Sequence, residues 1–268
     1  MHKIAVELGP ITLYWYGVFV GLGCLLGIWT ASRRGLRAGL APEKAFDFSW
    51  WILVGALVGA RAWYVASYWS EEFAGKSVLA ILNVRQGGLV FYGGVVGSSV
   101  ALILYAWIKG EKLWLLADVA APSISLGSAF GRIGCLMTGC CYGSPCALPW
   151  AIRFPSDHSS FPHPVHPVQI YDALANLALY VFLEWRIYRR RRFDGQVFAT
   201  WLILYPVVRS FTELFRGDYP QRYLGGVLTP AQVLSIVIVV TGGVLFAVLP
   251  RVLTQPPAEP EGKPAPGA

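Results

Sequence analysis

The sequence predicts an all-α polytopic membrane protein: seven transmembrane helices with a small cap on the outer face. Three observations carry this. Hydrophobic residues make up 55% of the 268 residues and charged residues only 14%, and the mean hydropathy is +0.51, a composition suited to lipid rather than to a water-soluble domain. A hydrocarbon core of roughly 30 Å asks for about 20 mostly apolar helical residues, and runs of that kind occur at 11–31, 47–69, 88–109, 114–137, 168–186, 196–215 and 230–250. Lys and Arg gather in alternate connections between these runs, as the positive-inside rule describes.

The first run opens on Tyr14 and Tyr16 and carries Cys24, read as a core residue. No basic segment of signal-peptide form precedes it, and the run is long enough to span. Arg61 interrupts the second run, where snorkelling or pairing with a carbonyl would satisfy it. The third begins at Tyr92, just after Gly87-Gly88, and the fourth opens at Trp114 and carries Arg132 near its outer end. His166, Gln169, Tyr171 and Asp172 open the fifth, and the sixth holds Arg209 and Glu213, four residues apart on one helical face. Tyr64, Tyr68 and Tyr105 read as interfacial belt residues. The membrane domain extends over 1–253, with the cap at 138–167, punctuated by six prolines. Residues 254–268, rich in Pro, Ala and Gly, form a disordered tail by composition.

The connections after runs one, three and five carry Arg33, Arg34, Arg37 and Lys44, then Lys109 and Lys112, then Arg186 and Arg189 to Arg192. That bias places the N-terminus outside and the C-terminus in the cytoplasm. It also accounts for most of the net charge of +7, so no nucleic-acid partner is expected. The absence of an internal repeat disfavours an inverted-repeat transporter.

Chemistry concentrates in residues 131–143. Arg132 is a charge within or at the edge of a membrane span, costly unless it faces a partner or a wet cavity. On the orientation above, Arg132, Arg209, Glu213, His166, Gln169, Asp172, Tyr92, Tyr14 and Tyr16 all lie toward the outer end of the bundle. Two guanidiniums beside several hydroxyls suit an anionic lipid headgroup, because arginine offers a bidentate donor fork to phosphate. His158, His163 and His166 lack a diagnostic spacing and read as loop packing, and no metal or cofactor is expected. Cys135, Cys140, Cys141 and Cys146 fall within 12 residues. Three readings stay open for them: a disulfide to Cys146, a zinc site without the usual paired spacing, and a redox or acyl-accepting thiol.

Taken in order, Trp15-Tyr16-Gly17, Gly59-Ala60-Arg61 with Tyr64, Gly87 to Gly94, Gly131-Arg132-Ile133-Gly134, His166 to Asp172, and Tyr205, Arg209, Glu213 and Arg216 resemble the prolipoprotein diacylglyceryl transferase family. The resemblance runs through most of the chain. It implies seven spans and an active site open to the outer face of the bacterial cytoplasmic membrane. It further implies transfer of a diacylglyceryl group from phosphatidylglycerol to the lipobox cysteine of a preprolipoprotein. The partners are then membrane lipid, phosphatidylglycerol and the signal-peptide segment bearing that cysteine. Carried onto this chain, the catalytic positions are Arg209, Tyr92 and Glu213, and the substrate-binding positions are Arg132, Tyr16, His166, Gln169, Asp172, Tyr205, Cys135 and Gly139. The chain departs from the family pattern within the site. Tyr92 stands where a histidine is usual, Cys135 and Thr138 replace two asparagines, and Cys140 replaces a glutamate. A phenol with an ordinary pKa of about 10 is a weaker base at neutral pH than imidazole. The alternatives are a paralogous transferase with another donor or acceptor, and a non-catalytic lipid-binding protein.

Overall fold

A computed structural model describes residues 4–8, 11–76, 78–83, 87–217 and 229–253. The tail at 254–268 lies outside the described residues, as do Lys3, Arg85 and Arg222. The chain is mostly helical. It begins, however, with an antiparallel hairpin, β1 (Ile4–Leu8) on β2 (Ile11–Tyr14), paired Glu7 to Thr12 and Leu8 to Ile11. This corrects the expectation of an all-α chain and of a first span starting at residue 11. β-Branched and aromatic residues around a Gly-Pro pair favour a hairpin locally, and the apolar window had merged its second strand with the helix that follows.

The helices are α1 (Trp15–Arg37), α2 (Pro42–Ser67), the short α3 (Val78–Leu82), α4 (Phe91–Lys109), α5 (Leu113–Thr138), α6 (Val168–Phe182), α7 (Gln196–Glu213) and α8 (Pro230–Leu253). Five of them, α1, α2, α4, α5 and α8, are long and apolar enough to cross a membrane. α6 is only 15 residues long before it continues as a π-helical turn over Leu183–Ile187. α7 gives up apolar character to Gln196, Arg209 and Glu213.

α5 is the central helix, packed against α1, α6, α7 and, more lightly, α4. Its small residues allow this: Ala117, Ala120, Ala121, Ser125, Ala129 and Gly134 are all buried. Small residues also set the α2–α4 crossing, in the manner of close-packed membrane helices. A Cβ on Gly97 would lie 2.2 Å from the Gly55 carbonyl oxygen, and one on Gly59 would lie 2.3 Å from that of Gly93. The same pair of helices borders an apolar groove of about 740 Å³ flanked by Trp50, Trp51 and Trp63.

The best-shielded apolar side chains, including Phe48, Tyr105, Leu116, Val119, Leu183 and Val197, lie toward the end of the bundle that carries the basic connections. Ion pairs tie those connections together: Lys44 to Glu111 at 2.6 Å and Lys112 to Asp194 at 3.9 Å. Beneath them Arg34, fully buried, bonds Glu184 at 2.7 Å and the Val119 carbonyl at 2.9 Å. Asp118, also fully buried, accepts the backbone N–H groups of Gly195 and Phe198, each at 2.9 Å, and so caps α7. Tyr105 is not a belt residue. It is buried and donates to the Lys44 carbonyl at 3.2 Å.

Candidate active site

The other end of the bundle is polar. α5 ends, α6 begins and α7 ends there, so Arg132, Asp172 and Arg209 come from three helices that meet. Asp172, 1% exposed, is the shared counter-ion, with Oδ2 at 3.2 Å from Arg132 Nε and 3.7 Å from Arg209 Nη1. Its Oδ1 accepts a hydrogen bond from the Thr212 hydroxyl, and its own carbonyl is held by Asn176 at 2.8 Å. Glu213 takes Arg209 Nη2 at 2.6 Å and Arg216 Nη1 at 3.6 Å. The expected i,i+4 pair is therefore present, but as one step in a ladder of three guanidiniums and two carboxylates. That ladder has a net charge of +1.

The ladder has spare capacity. Arg209 Nη1 is buried and makes no hydrogen bond among the described residues, and neither does Gln169 Oε1 or Glu213 Oε1. Orphaned buried polar atoms cost free energy unless a ligand or water completes them. An unused guanidinium donor at a site of net positive charge suits an anionic oxygen.

The loop after α5 forms one wall. Gly139 ends the helix at φ 80° and Cys141 sits at φ 59°, a left-handed backbone that costs a residue with a side chain about 1–2 kcal/mol. These two turns fold Cys140 and Cys141 back over Cys135. The three sulfur atoms lie within 4.8 Å of one another, and all five cysteines of the chain are free thiols. The loop backbone is pinned: buried Gln169 donates to the Cys140 carbonyl at 2.7 Å, and His158 Nε2 bonds the Gly139 carbonyl at 2.7 Å. Hydrogen bonds from Cys135 and Cys141, and then from the Thr138 hydroxyl, hold the Cys140 thiol far below the ordinary thiol range against the upward push of burial. Tyr16 packs on Gly134, where a Cβ would lie 3.1 Å from its ring, and interacts electrostatically with all three cysteines and with Arg132.

Segment 138–167 is bonded to itself through Gly143 and His166 and to the residues after α7 through Ser144. Gly143 N–H donates to the His166 carbonyl at 3.1 Å, and Ser144 N–H to the Phe215 carbonyl at 2.8 Å. The His166 ring rests 5.3 Å from that of Phe215 and joins no metal-like group among the described residues. Tyr205 stacks on Trp201 and interacts with Arg132.

Tyr92 stands apart. It is 54% exposed at the start of α4, its ring contacts that of Phe91, and its hydroxyl has no partner among the described residues. Among the described residues no hydrogen bond, ion pair or ring contact joins it to the arginine ladder. Arg61 also has a settled place, because it binds the carbonyls of Ala80, Ile81, Asn83, Gly87 and Gly88 and so holds the chain leading into α4. Sequence reasoning missed Thr212 and Asn176. Their positions on the faces of α7 and α6 that carry Arg209 and Asp172 are the only sequence signal for them.

Comparison with known proteins places the chain in a family. The family profile described as prolipoprotein diacylglyceryl transferase matches residues 3–248. Proteins named phosphatidylglycerol–prolipoprotein diacylglyceryl transferase are similar along nearly their whole length. The one from Geobacillus kaustophilus is 37% identical over 259 residues, covering 92% of each chain. The one from Bacillus mycoides is 37% identical over 262 residues, covering 95% of this chain and 94% of the relative. The Bacillus cytotoxicus protein is 36% identical over 258 residues, covering 94% and 93%. With match and ladder together, this chain belongs to the prolipoprotein diacylglyceryl transferase family.

Proposed function

We propose that this protein transfers the diacylglyceryl group of phosphatidylglycerol to the lipobox cysteine thiol of a preprolipoprotein, at the outer face of the bacterial cytoplasmic membrane. The observation that carries the reading is the Arg132–Asp172–Arg209–Glu213–Arg216 ladder with its unused Arg209 donor. In this reaction the thiol sulfur attacks a glyceryl carbon, the C–O bond to phosphate breaks, and glycerol phosphate leaves with the bonding electrons. Negative charge grows on the phosphate as that bond breaks. Preorganised guanidiniums stabilise that charge more than the ground state, which is what accelerates the step.

Arg132 and Arg209 clamp the phosphate, and Glu213 and Asp172 aim them. Tyr16, Tyr205, Gln169 and His166 shape the headgroup space, with Cys135 and Gly139 in its wall. Tyr92 positions substrate from the start of α4. Seven spans complete the topology. α6 with its π-helical continuation covers 20 residues, about 30 Å at 1.5 Å per residue, and the 18 residues of α7 cover about 27 Å. The basic connections lie in the cytoplasm with the C-terminus, and the cap at 138–167 lies outside with the N-terminus. Reporter fusions at Lys109 and His158 should read opposite sides, and a common side would remove this topology.

The decisive test is complementation of a bacterium depleted of its own transferase, with mass spectrometry of a reporter lipoprotein. A diacylglyceryl mass on the lipobox cysteine is expected. An expressed, inserted protein that leaves the reporter unmodified would refute the reading. The clustered thiols of Cys135, Cys140 and Cys141 favour one second reading, a transferase of the same chemistry with a different acceptor or donor. A modified mass other than diacylglyceryl would show it.

A further inference from the structure

The thiol trio has a geometry that phosphate binding does not use. Cys135 comes from the last turn of α5, and Cys140 and Cys141 from the loop that reverses over it. Their sulfur atoms lie within 4.8 Å of one another. Tetrahedral zinc with Zn–S bonds of about 2.3 Å needs sulfurs about 3.8 Å apart, so a contraction of an ångström or less would close the site. The loop backbone that carries two of the thiols is already fixed by Gln169 and His158, the kind of outer support that metal ligands need. Cys146, by contrast, is not in the cluster and is a free thiol.

We propose that Cys135, Cys140 and Cys141 bind one Zn(II) ion whose fourth position receives the acceptor's cysteine as a thiolate. Three protein ligands and one open position are the pattern of reactive rather than structural zinc. Three thiolates and Zn(II) sum to −1, and Arg132, which interacts electrostatically with Cys135 and Cys141, supplies the balancing charge. A fourth thiol that binds there loses its proton outright. The site would then do for the acceptor what Tyr92, exposed and without a hydroxyl partner among the described residues, is badly placed to do.

The step balances without any redox partner. The acceptor thiol displaces a zinc-bound water and gives its proton to solvent. Its sulfur then forms the C–S bond as the glyceryl C–O bond breaks, and the electron pair leaves on the phosphate oxygen of glycerol phosphate. The resulting thioether is a poor zinc ligand, so it dissociates and water returns. The acceptor half of this inference rests on the transferase reading above, whereas the zinc half does not.

The test uses the full-length protein in detergent, with Zn(II), with Co(II) as its spectroscopic surrogate, and with a synthetic lipobox peptide. Elemental analysis should find one zinc per chain, and Co(II) should give thiolate charge-transfer absorption and the intense ligand-field bands of a tetrahedral site. Both signals should fall in Cys140→Ser and Cys141→Ser. The peptide should shift the Co(II) ligand-field bands, and the same peptide with serine for cysteine should not. Chelation should abolish transfer to the peptide, and Zn(II) should restore it. Failure of the wild-type protein to bind Zn(II) or Co(II) stoichiometrically overturns the site, whatever the serine variants do to folding. Binding with no peptide-induced shift, or with transfer that survives chelation, overturns the role in acceptor activation and leaves the transferase reading intact. Zinc binding and a peptide shift without lipid transfer support the site and count against phosphatidylglycerol as donor.

Discussion

Arg209→Lys isolates what the ladder contributes to the reaction. Arg209 uses Nη2 on Glu213 at 2.6 Å, and its Nη1, 3.7 Å from Asp172, makes no hydrogen bond among the described residues. Lysine offers one nitrogen in place of this fork. If that nitrogen stays with Glu213, the phosphate loses a charged donor; if it turns to the phosphate, buried Glu213 loses its nearest partner. Removing one preorganised donor from a developing oxyanion costs about 2.7–4 kcal/mol, a fall of roughly 100- to 1,000-fold in kcat. The net charge of the ladder is unchanged, so KM for phosphatidylglycerol should move much less than kcat. The assay is release of glycerol phosphate by purified protein in mixed micelles, with lipidated peptide followed by mass spectrometry. Insertion and thermal melting of the variant should stay near wild type, which separates chemistry from folding. Near-normal turnover by Arg209→Lys and Arg132→Lys combined would refute the clamp.

Asp172→Asn should cost stability, because it leaves two guanidiniums facing one neutral amide. Breaking a buried pair costs about 3–5 kcal/mol, while Thr212→Val, which removes the hydroxyl's bonds to Asp172 and to the Arg209 carbonyl but no charge, should cost about 1 kcal/mol. Thermal melting in detergent reads both, and an unchanged midpoint for Asp172→Asn would remove it as the shared counter-ion. Gly97→Ala forces a methyl to within 2.2 Å of the Gly55 carbonyl oxygen, whereas Gly94→Ala meets nothing closer than 3.4 Å. The first should destabilise by about 1–3 kcal/mol through overpacking, and the second should be neutral or stabilising because alanine favours helix. Equal melting midpoints would mean that α2 and α4 do not cross at these glycines. Tyr92→Phe should reduce turnover by less than the roughly 100-fold expected for loss of a general base. A larger loss, reversed by Tyr92→His, would return proton transfer to this position.

Much of this was legible in the sequence, for identifiable reasons. Arg132, Asp172, Arg209 and Glu213 are ionisable groups in apolar surroundings, and such groups need partners wherever they stand. Their convergence followed from helix ends alone. The pairing of Asp172 with both arginines was not legible, because it depends on how three helices rotate about their axes. The burial of Arg34 on Glu184 was hidden for a related reason. Arg34 lies in a run of basic residues that the positive-inside rule assigns to water, while tertiary packing draws this one inward. The hairpin at Ile4–Tyr14 was lost because a window of about 20 residues averages over strands of five and four. The meeting of Cys135 with Cys140 and Cys141 required a left-handed Cys141, which no spacing rule announces.

Where the chain departs from the pattern it resembles, three of the changes are clustered, while Tyr92 lies apart from them. Cys135, Thr138 and Cys140 form one connected unit, with the Thr138 hydroxyl 3.3 Å from the Cys140 sulfur and that sulfur 3.7 Å from the Cys135 carbonyl. In the ladder next to this unit the arginines and Glu213 keep the residue types of that pattern, and Asp172, where the pattern has a glutamate, keeps the carboxylate. The transferase reaction has two electrical demands, negative charge taken up on phosphate and a proton taken off sulfur. The arginine end of the site meets the first demand with residue types the family also uses. The second is where a histidine gives way to an exposed tyrosine and two asparagines and a glutamate give way to thiols and a hydroxyl. A change of that kind on one side of the site alone is what replacement of the thiol-activating machinery would produce under an unchanged phosphate clamp. Loss of the whole activity would instead leave the ladder free to drift. An intact, buried ladder that keeps its excess of positive charge therefore argues for a working enzyme whose novelty lies in how it handles the acceptor sulfur.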